Sequence, residues 1–385
     1  MHIAFVTGNY PTPARPTAGT FVQQFVWAMA RQGNACIVIN PASMFDRRYG
    51  ALPPRRTAED AGGGATVEVK CPRCVTFSSR NLGWTHTGRW TQHAMNIVTS
   101  RVIRALSPAP DLVYGHFLYH AGRAAAVSGN MLGVPAVVGV GEDHLWTVEA
   151  CGIRSARVHW ANDGYFLANS MPNRDALVDS LHIDEARILV QPNGVDLGRM
   201  YPRDRTAMKR KFGIGAGTFV VAFLGANEER KGPDRVVAAV EGIPDTTCLL
   251  VGLGTQTIDS GCVAWAGPVT HDLVPEILSC ADAFALPTTS EGSCNAVIEA
   301  MACGLPIVTS NGRYMDDIVD DEVAIRVDPM DVRAIRDAIL TLKNDPVRRK
   351  RMSEACLRKA RHFDINERAK RVTNWMKELV REYQR

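Results

Sequence analysis

The chain has 385 residues, of which 46% are hydrophobic and 22% charged, ordinary globular composition at a length of two to three domains. The 32 Gly and 21 Pro exclude collagen-like repeats and long low-complexity disorder. A formal charge of +4 is too small to argue for a nucleic-acid partner.

In chain order, short apolar, β-rich runs alternate with segments of helical period. The predicted strands of the first half are 3–7, 36–39, 66–69, 112–114, 136–139, 165–168 and 188–190; those of the second are 218–224, 248–251, 263–265, 283–286, 306–309 and 324–327. The runs are apolar on successive residues, the signature of strands buried on both faces of a parallel sheet with helices between. The pattern starts twice. Strand 3–7 leads through a Gly/Pro-rich loop into a helix over 20–31, and strand 218–224 leads through GANEERKG into a helix over 233–241. Two starts predict an α/β chain of two Rossmann-like doubly wound domains facing each other across a cleft. Turn-rich QPNGVDL at 191–197 divides them into domains 1–193 and 194–363. Residues 364–385 end the sequence as a helix with an apolar set at Ala369, Val372, Trp375, Met376 and Leu379.

No segment reads as membrane-spanning: the charge-free stretch 124–141 holds Ser128, Asn130, Pro135 and four Gly. The apolar run 3–6 meets a Gly/Asn/Pro turn at once, too short for a secretory signal. The ten cysteines are scattered, most in apolar contexts such as Cys36, Cys248 and Cys303. Both features predict a cytoplasmic protein. Residues 331–385 carry 16 Lys/Arg against 8 Asp/Glu, a local charge of +8. This reads either as solvated helix surface or as docking to an anionic membrane. Residues 84–104 mix Trp84, Trp90, Arg89, Arg101 and Arg104 with apolar residues, a candidate acceptor or membrane face.

The strongest chemical signal is EGSCNAVIEAMACGLPIV at 291–308. Glu291 and Gly292 fall in a loop at the C-terminal end of strand 283–286, where open α/β sheets bind ligands. A helix follows, with Ala296, Val297, Ala300 and Met301 on its buried face, Gly304 as C-cap and Pro306 as stop. Its N-terminus offers free N–H groups and partial positive charge to phosphate. Glu299 lies early on this helix away from the apolar face, and a carboxylate there can accept two hydrogen bonds from a ribose diol. A surface glutamate compensating the helix dipole is the plain alternative.

Two glutamates separated by seven residues, followed by AMACGLPIV, resemble the nucleotide-sugar signature of the retaining GT-B glycosyltransferases, specifically glycosyltransferase family 4 (glycosyl transferases group 1). Further blocks occur in family order: Gly19-Thr20, PDLVYGHF at 110–117, VPAVVGVGED at 134–143, PNGVD at 192–196 and Lys231-Gly232. The resemblance implies that a nucleotide-diphospho-sugar donor binds the second domain and an acceptor the first. It also implies that the terminal helix crosses back to the first domain. Lys231 is the implied partner of the leaving diphosphate and Glu291 positions donor-sugar hydroxyls. Glu299, Gly292, Asn295, Ala296, Gly225, Gly19 and Thr20 are implied donor contacts. The family places an Arg after the first Gly of the Lys-Gly block; here that position is Ala226, and Arg230 is the substitute in the same loop. In the first domain the family's His-Gly-x-Asp reads Val140-Gly141-Glu142-Asp143, with His144 just beyond. Asp143 is the implied catalytic carboxylate there, and His116 and His144 are implied acceptor or sugar contacts.

CPRC at Cys71–Cys74 reads either as a zinc half-site or as two thiols in a turn; no second C-x-x-C exists to complete four ligands. There is no D-x-D triplet to hold a cation on a diphosphate. The expectation is therefore neither metal nor cofactor, the nucleotide-diphospho-sugar being a substrate. The predicted reaction is sugar transfer with retention onto a lipid-linked or saccharide acceptor, without nucleic acid. The family and the basic tail place it in polysaccharide or glycolipid assembly, with peripheral contact at the inner face of the cytoplasmic membrane. A GT-B epimerase or sugar-phosphate synthase is the enzymatic alternative. Ala226 and Val140 motivate a third, a non-catalytic GT-B scaffold subunit.

Overall fold

The computed structural model describes residues 1–45, 51–77, 80–83, 86–252, 258 and 260–385. The chain forms two compact units, Met1–Gln191 with Ile365–Arg385, and Pro192–Asp364.

Unit 1 contains β1 His2–Val6, β2 Ala35–Ile39, β3 Ala42–Ser43, β4 Arg56–Gly62, β5 Ala65–Lys70, β6 Arg73–Cys74, β7 Leu112–His116, β8 Ala136–Val140, β9 Tyr165–Ala168 and β10 Ile188–Val190. Eight of them form one sheet in the order β10-β9-β8-β7-β1-β2-β5-β4. All neighbours are parallel except β4 against β5; β3 and β6 make a separate parallel pair. Successive residues of β1 serve opposite faces, as the period of two requires. Ile3 and Phe5 join Val22, Phe25 and Val26 of helix Thr20–Arg31. Ala4 and Val6 join Ile103 of helix Gly88–Arg104 and Ala124 of helix Arg123–Leu132.

The terminal helix Ile365–Tyr383 belongs to unit 1. It buries Ala369, Val372, Met376 and Leu379 on the Thr20–Arg31 side of the sheet. Trp375, half-buried, meets the Tyr165 ring edge-on at 6.5 Å. Arg368 is buried with its guanidinium over the Phe25 ring, and burial lowers its pKa to about 10.

Unit 2 contains β11 Phe219–Leu224, β12 Thr246–Val251, β13 Val263–Gly267, β14 Ala283–Leu286, β15 Ile307–Ser310 and β16 Ala324–Val327. They form an all-parallel sheet in the order β13-β12-β11-β14-β15-β16. Counted within the unit, this is the order 3-2-1-4-5-6 of the doubly wound fold. Its switch point is β11, flanked by β12 and β14.

Three strands have no counterpart among the predicted runs: the two-residue β3 and β6, and β4. The residues of β4, RTAEDAG, bury only Ala61, and it forms an exposed antiparallel edge on β5. Of the 84–104 stretch, Trp84 lies outside the described residues; the helix Gly88–Arg104 leaves Trp90 exposed. The basic tail is not one face. Residues up to Asp364 belong to unit 2, where Arg336 donates to Ala239 O and Glu241 O and Lys343 to Pro244 O. Among the described residues, no helix is long and apolar enough to cross a membrane.

Candidate functional site

In unit 2 the loops leaving β11 and β14 lie side by side at the C-terminal edge of the sheet. After β11 the chain makes one helical turn, Glu229–Lys231, and reverses at Gly232 before helix Pro233–Val240. Gly232 has φ +73°, and a Cβ there would meet the Arg235 guanidinium at 2.4 Å. Arg235 folds over that glycine, buried, donating from Nη1 to Glu229 O (3.0 Å) and from Nη2 to Pro287 O (2.9 Å). It ties the two loops together, as does the Thr289 N–H donating to Arg230 O at 2.9 Å.

This frame brings the predicted charged residues together. Lys231 Nζ donates to the Glu291 carboxylate; their side chains are 15% and 8% exposed. Arg230 Nη1 donates to Ser290 O at 2.6 Å and stands 4.0 Å from Glu291 Oε2. Gly292 follows, buried, and helix Asn295–Ala302 begins three residues later. The interdomain motif reaches this helix: Asn193 Nδ2 donates to Asn295 Oδ1 at 2.8 Å, and Asn193 N donates to Ser293 Oγ at 3.3 Å. Ala296 is half-buried rather than fully on the buried face; Ile298 takes that place. Gly225 ends β11 with its N–H on Val251 O. Cys294 lies buried among these groups, feeling the charges of Glu291, Lys231 and Glu299 after the dominant effect of burial, which raises its pKa.

Glu299 is not open as read from sequence: its Oε1 accepts from His271 Nε2 at 2.9 Å, both side chains largely buried. Burial disfavours the His271 cation, but the hydrogen bond and charge of Glu299 outweigh it and raise the pKa above the ordinary value. His271 comes from the loop after β13, and nothing in its neighbourhood in sequence marks it.

In unit 1 the predicted residues fall in three places. Gly19 precedes helix Thr20–Arg31 with φ +68°, and a Cβ would stand 2.2 Å from Asn9 O. His116 ends β7, buried, its Nδ1 3.0 Å from Tyr114 Oη and its Nε2 buried without a partner. Burial lowers its pKa to about 3, so it is neutral at pH 7. Asp143 and His144 follow β8 and pair with each other, Oδ1 to Nδ1, at 2.7 Å. His144 Nε2 also lies 3.4 Å from Glu149.

Between His116 and Asp143 stands a residue that the sequence reading assigned no role. Glu142 is 7% exposed; its Oε1 accepts from Leu118 N at 2.5 Å and its Oε2 from Gly141 N at 3.0 Å. Burial, only partly offset by those N–H donors, raises its pKa to about 7. It buttresses the turn after β7, where Phe117 (φ +75°) and His120 (φ +62°) both hold left-handed backbone. The only sequence signal is a carboxylate following an apolar run.

Chemically, the unit 2 cluster presents an ammonium, a guanidinium and a helix N-terminus, a set suited to anionic phosphate. Among the described residues, no group of three or more His, Cys, Asp or Glu is placed to hold a metal ion. Cys71 and Cys74 are buried free thiols whose pKa values burial raises.

Residues 204–358 match the family described as glycosyl transferases group 1. A D-inositol 3-phosphate glycosyltransferase of Mycobacteroides abscessus is 33% identical over 159 residues, 37% of this chain and 36% of that protein. The match thus spans about a third of that relative's length. The putative teichuronic acid biosynthesis glycosyltransferase TuaC of Bacillus subtilis is 22% identical over 357 residues, 90% of each chain. HepE from Anabaena, solved in complex with UDP and glucose, superposes with TM-score 0.72 at 18% identity, covering 98% of this chain and 100% of that one. The fold is GT-B, built from two Rossmann-like units.

Proposed function

With residues 204–358 belonging to the glycosyl transferases group 1 family, we propose that the chain is a retaining glycosyltransferase. It transfers a sugar from a nucleotide-diphospho-sugar to an acceptor hydroxyl. The observation that carries this reading is the Lys231–Glu291 pair at the C-terminal edge of the unit 2 sheet. Glu291 holds the lysine without exhausting it, because an ammonium has three N–H donors. The remaining donors turn to the diphosphate as the anomeric C–O bond breaks and charge builds on the leaving oxygen. Arg230 adds a second cation to the same oxygens. Preorganised donors of this kind contribute roughly 3–4 kcal/mol each by analogy with oxyanion-hole groups.

Glu291, paired on one side, turns its other edge to the sugar hydroxyls. Glu299, held by His271, accepts from the ribose, and Gly225, Gly292, Asn295 and Ala296 line the donor. In unit 1 the Gly19-Thr20 amides serve the donor diphosphate, Asp143 is the catalytic carboxylate, and His116 and His144 serve acceptor or sugar. The acceptor hydroxyl attacks the face that the diphosphate leaves, and its proton passes to the departing diphosphate, so configuration is retained. The acceptor is a saccharide or lipid-linked hydroxyl of polysaccharide or glycolipid assembly, met at the inner face of the cytoplasmic membrane. The solved complex of HepE with UDP supports a uridine donor among the candidates.

The test is thermal shift against UDP, GDP, ADP, CDP and dTDP, each with and without Mg²⁺, followed by turnover of the matching nucleotide sugars. A ligand at a hundred times its Kd adds about 2.7 kcal/mol. One nucleotide is expected to raise the melting temperature in wild type and not in Lys231→Ala. No shift with any nucleotide, or equal shifts in both proteins, overturns the assignment.

A further inference from the structure

Within unit 1, a cavity of about 230 Å³ lies where the Gly88–Arg104 helix meets the turn after β7 and the helices after β8. The same helix supplies Arg89 and His93. Tyr119 comes from the turn, Arg123 begins the next helix, and Thr147 and His159 come from helices Trp146–Cys151 and Ile153–Trp160. No acidic side chain lines it. Asp163, which is not in the lining, pairs with Arg123 Nη1 and so partly neutralises that cation, and Glu149 lies against His144. Among the described residues, the guanidinium of Arg89 and the imidazole of His93 have no partner.

Tyr119 Oη is buried without a hydrogen-bond partner. Burial raises its pKa to about 12, so it remains an O–H donor at neutral pH. The local field is felt at His159, whose pKa is lowered first by burial and then by Arg123 and Arg89, against the raising effect of Asp163. The guanidinium of Arg89, the Nε and Nη2 groups that Arg123 does not give to Asp163, a phenol and an imidazole form a donor set for one oxyanion with several acceptor oxygens. At roughly 30 Å³ per water the volume holds about eight waters. That exceeds a phosphoryl group alone and leaves room for part of the molecule carrying it.

We propose that this cavity binds a phosphate monoester, and that the acceptor is a phosphorylated hydroxy compound seated here by its phosphate. The acceptor role rests on the glycosyltransferase reading; the binding site does not. Isothermal titration of the full chain compares hexose and cyclitol monophosphates with their unphosphorylated parents. A parallel arm sediments the protein with phosphatidylcholine vesicles with and without phosphatidic acid, whose headgroup presents the same monoester. The expected result is that the phosphorylated member of at least one arm binds and its neutral counterpart does not. Arg89→Gln and His93→Gln, both exposed and outside any internal pair, are expected to weaken that binding at least tenfold. Their thermal shift with nucleoside diphosphate should stay at the wild-type value.

Binding of neither phosphorylated probe overturns the site, and so does equal binding by the variants. Monoester binding without turnover of any donor leaves the site standing and sinks the glycosyltransferase reading. Donor turnover onto an unphosphorylated acceptor, with no monoester binding, does the reverse.

Discussion

Replacing Lys231 by Met removes the cation from a carboxylate that is 8% exposed. Breaking a fully buried pair by deleting one partner costs about 3–5 kcal/mol, because the other charge is stranded. Here the stranded Glu291 keeps Arg230 Nη1 at 4.0 Å, and that side chain is 35% exposed, so it recovers part of the loss. The expected cost is therefore about 2 kcal/mol. In a unit of this size that lowers the melting temperature by about 4–8 °C. The double variant Lys231→Met with Glu291→Gln strands no charge and is expected to return to within about 1 kcal/mol of wild type. Turnover should not return: both variants lose the donor aimed at the diphosphate, a loss of about a hundredfold or more. Urea denaturation of the three proteins gives the stabilities, and release of nucleoside diphosphate gives the rates. A single variant as stable as wild type means that the pair is not a desolvated one. A double variant that still turns over at the wild-type rate removes Lys231 from the chemistry.

Glu142 makes the stability of unit 1 depend on pH. Its folded pKa of about 7 lies above the ordinary 4.5, so its contribution is complete below pH 4.5 and is lost as pH rises through 7. The difference amounts to roughly 3 kcal/mol. Melting curves between pH 4.5 and 7.5 should fall more steeply for wild type than for Glu142→Gln, and parallel curves would contradict the burial argument. Gly19→Ala forces a side chain into left-handed backbone and against Asn9 O, at a cost of about 2 kcal/mol; an unchanged urea midpoint would show that the loop before Thr20 is free to move.

Much of the architecture was legible because buried parallel strands announce themselves. The runs read at 165–168, 283–286 and 324–327 coincide with β9, β14 and β16 to the residue. Helix Thr20–Arg31 is equally faithful, its apolar stripe ending at Arg31. β4 was not legible, because an exposed edge strand needs no apolar pattern: its partner supplies the ladder, and only Ala61 points into the core. The apolar stripe of the terminal helix was legible, but its destination came from resemblance. Nothing in Ala369, Val372 and Met376 distinguishes one sheet's covering helix from another's. The basic excess after residue 331 was countable, yet counting charge says nothing about where Arg336, Lys343 and Arg368 point. These three end on carbonyls or beneath an aromatic ring.

The candidate site divides along the same line. Lys231, Glu291 and Glu299 stand out because a loop turning into a helix at a sheet edge concentrates its chemistry within a few residues. Their pairing is non-local: Lys231 and Glu291 are 60 residues apart, and His271 reaches Glu299 from another loop. Yet the first pairing follows from topology. Once the second half is read as strands in the order 3-2-1-4-5-6, its first strand must lie beside its fourth. Lys231 follows the first and Glu291 follows the fourth, at the same edge. Two opposite charges delivered there, away from bulk water, have strong reason to meet. His271 offers no such deduction: it follows the outermost strand, β13, which has two strands between it and β14, yet it meets Glu299. Arg235 is hidden for a different reason. It sits within a helix whose apolar neighbours Val236 and Val237 suggest ordinary packing, and its value lies in carbonyls that no sequence pattern displays. Motif residues are legible where backbone geometry demands them together; the groups that hold them in place are legible only through strand order.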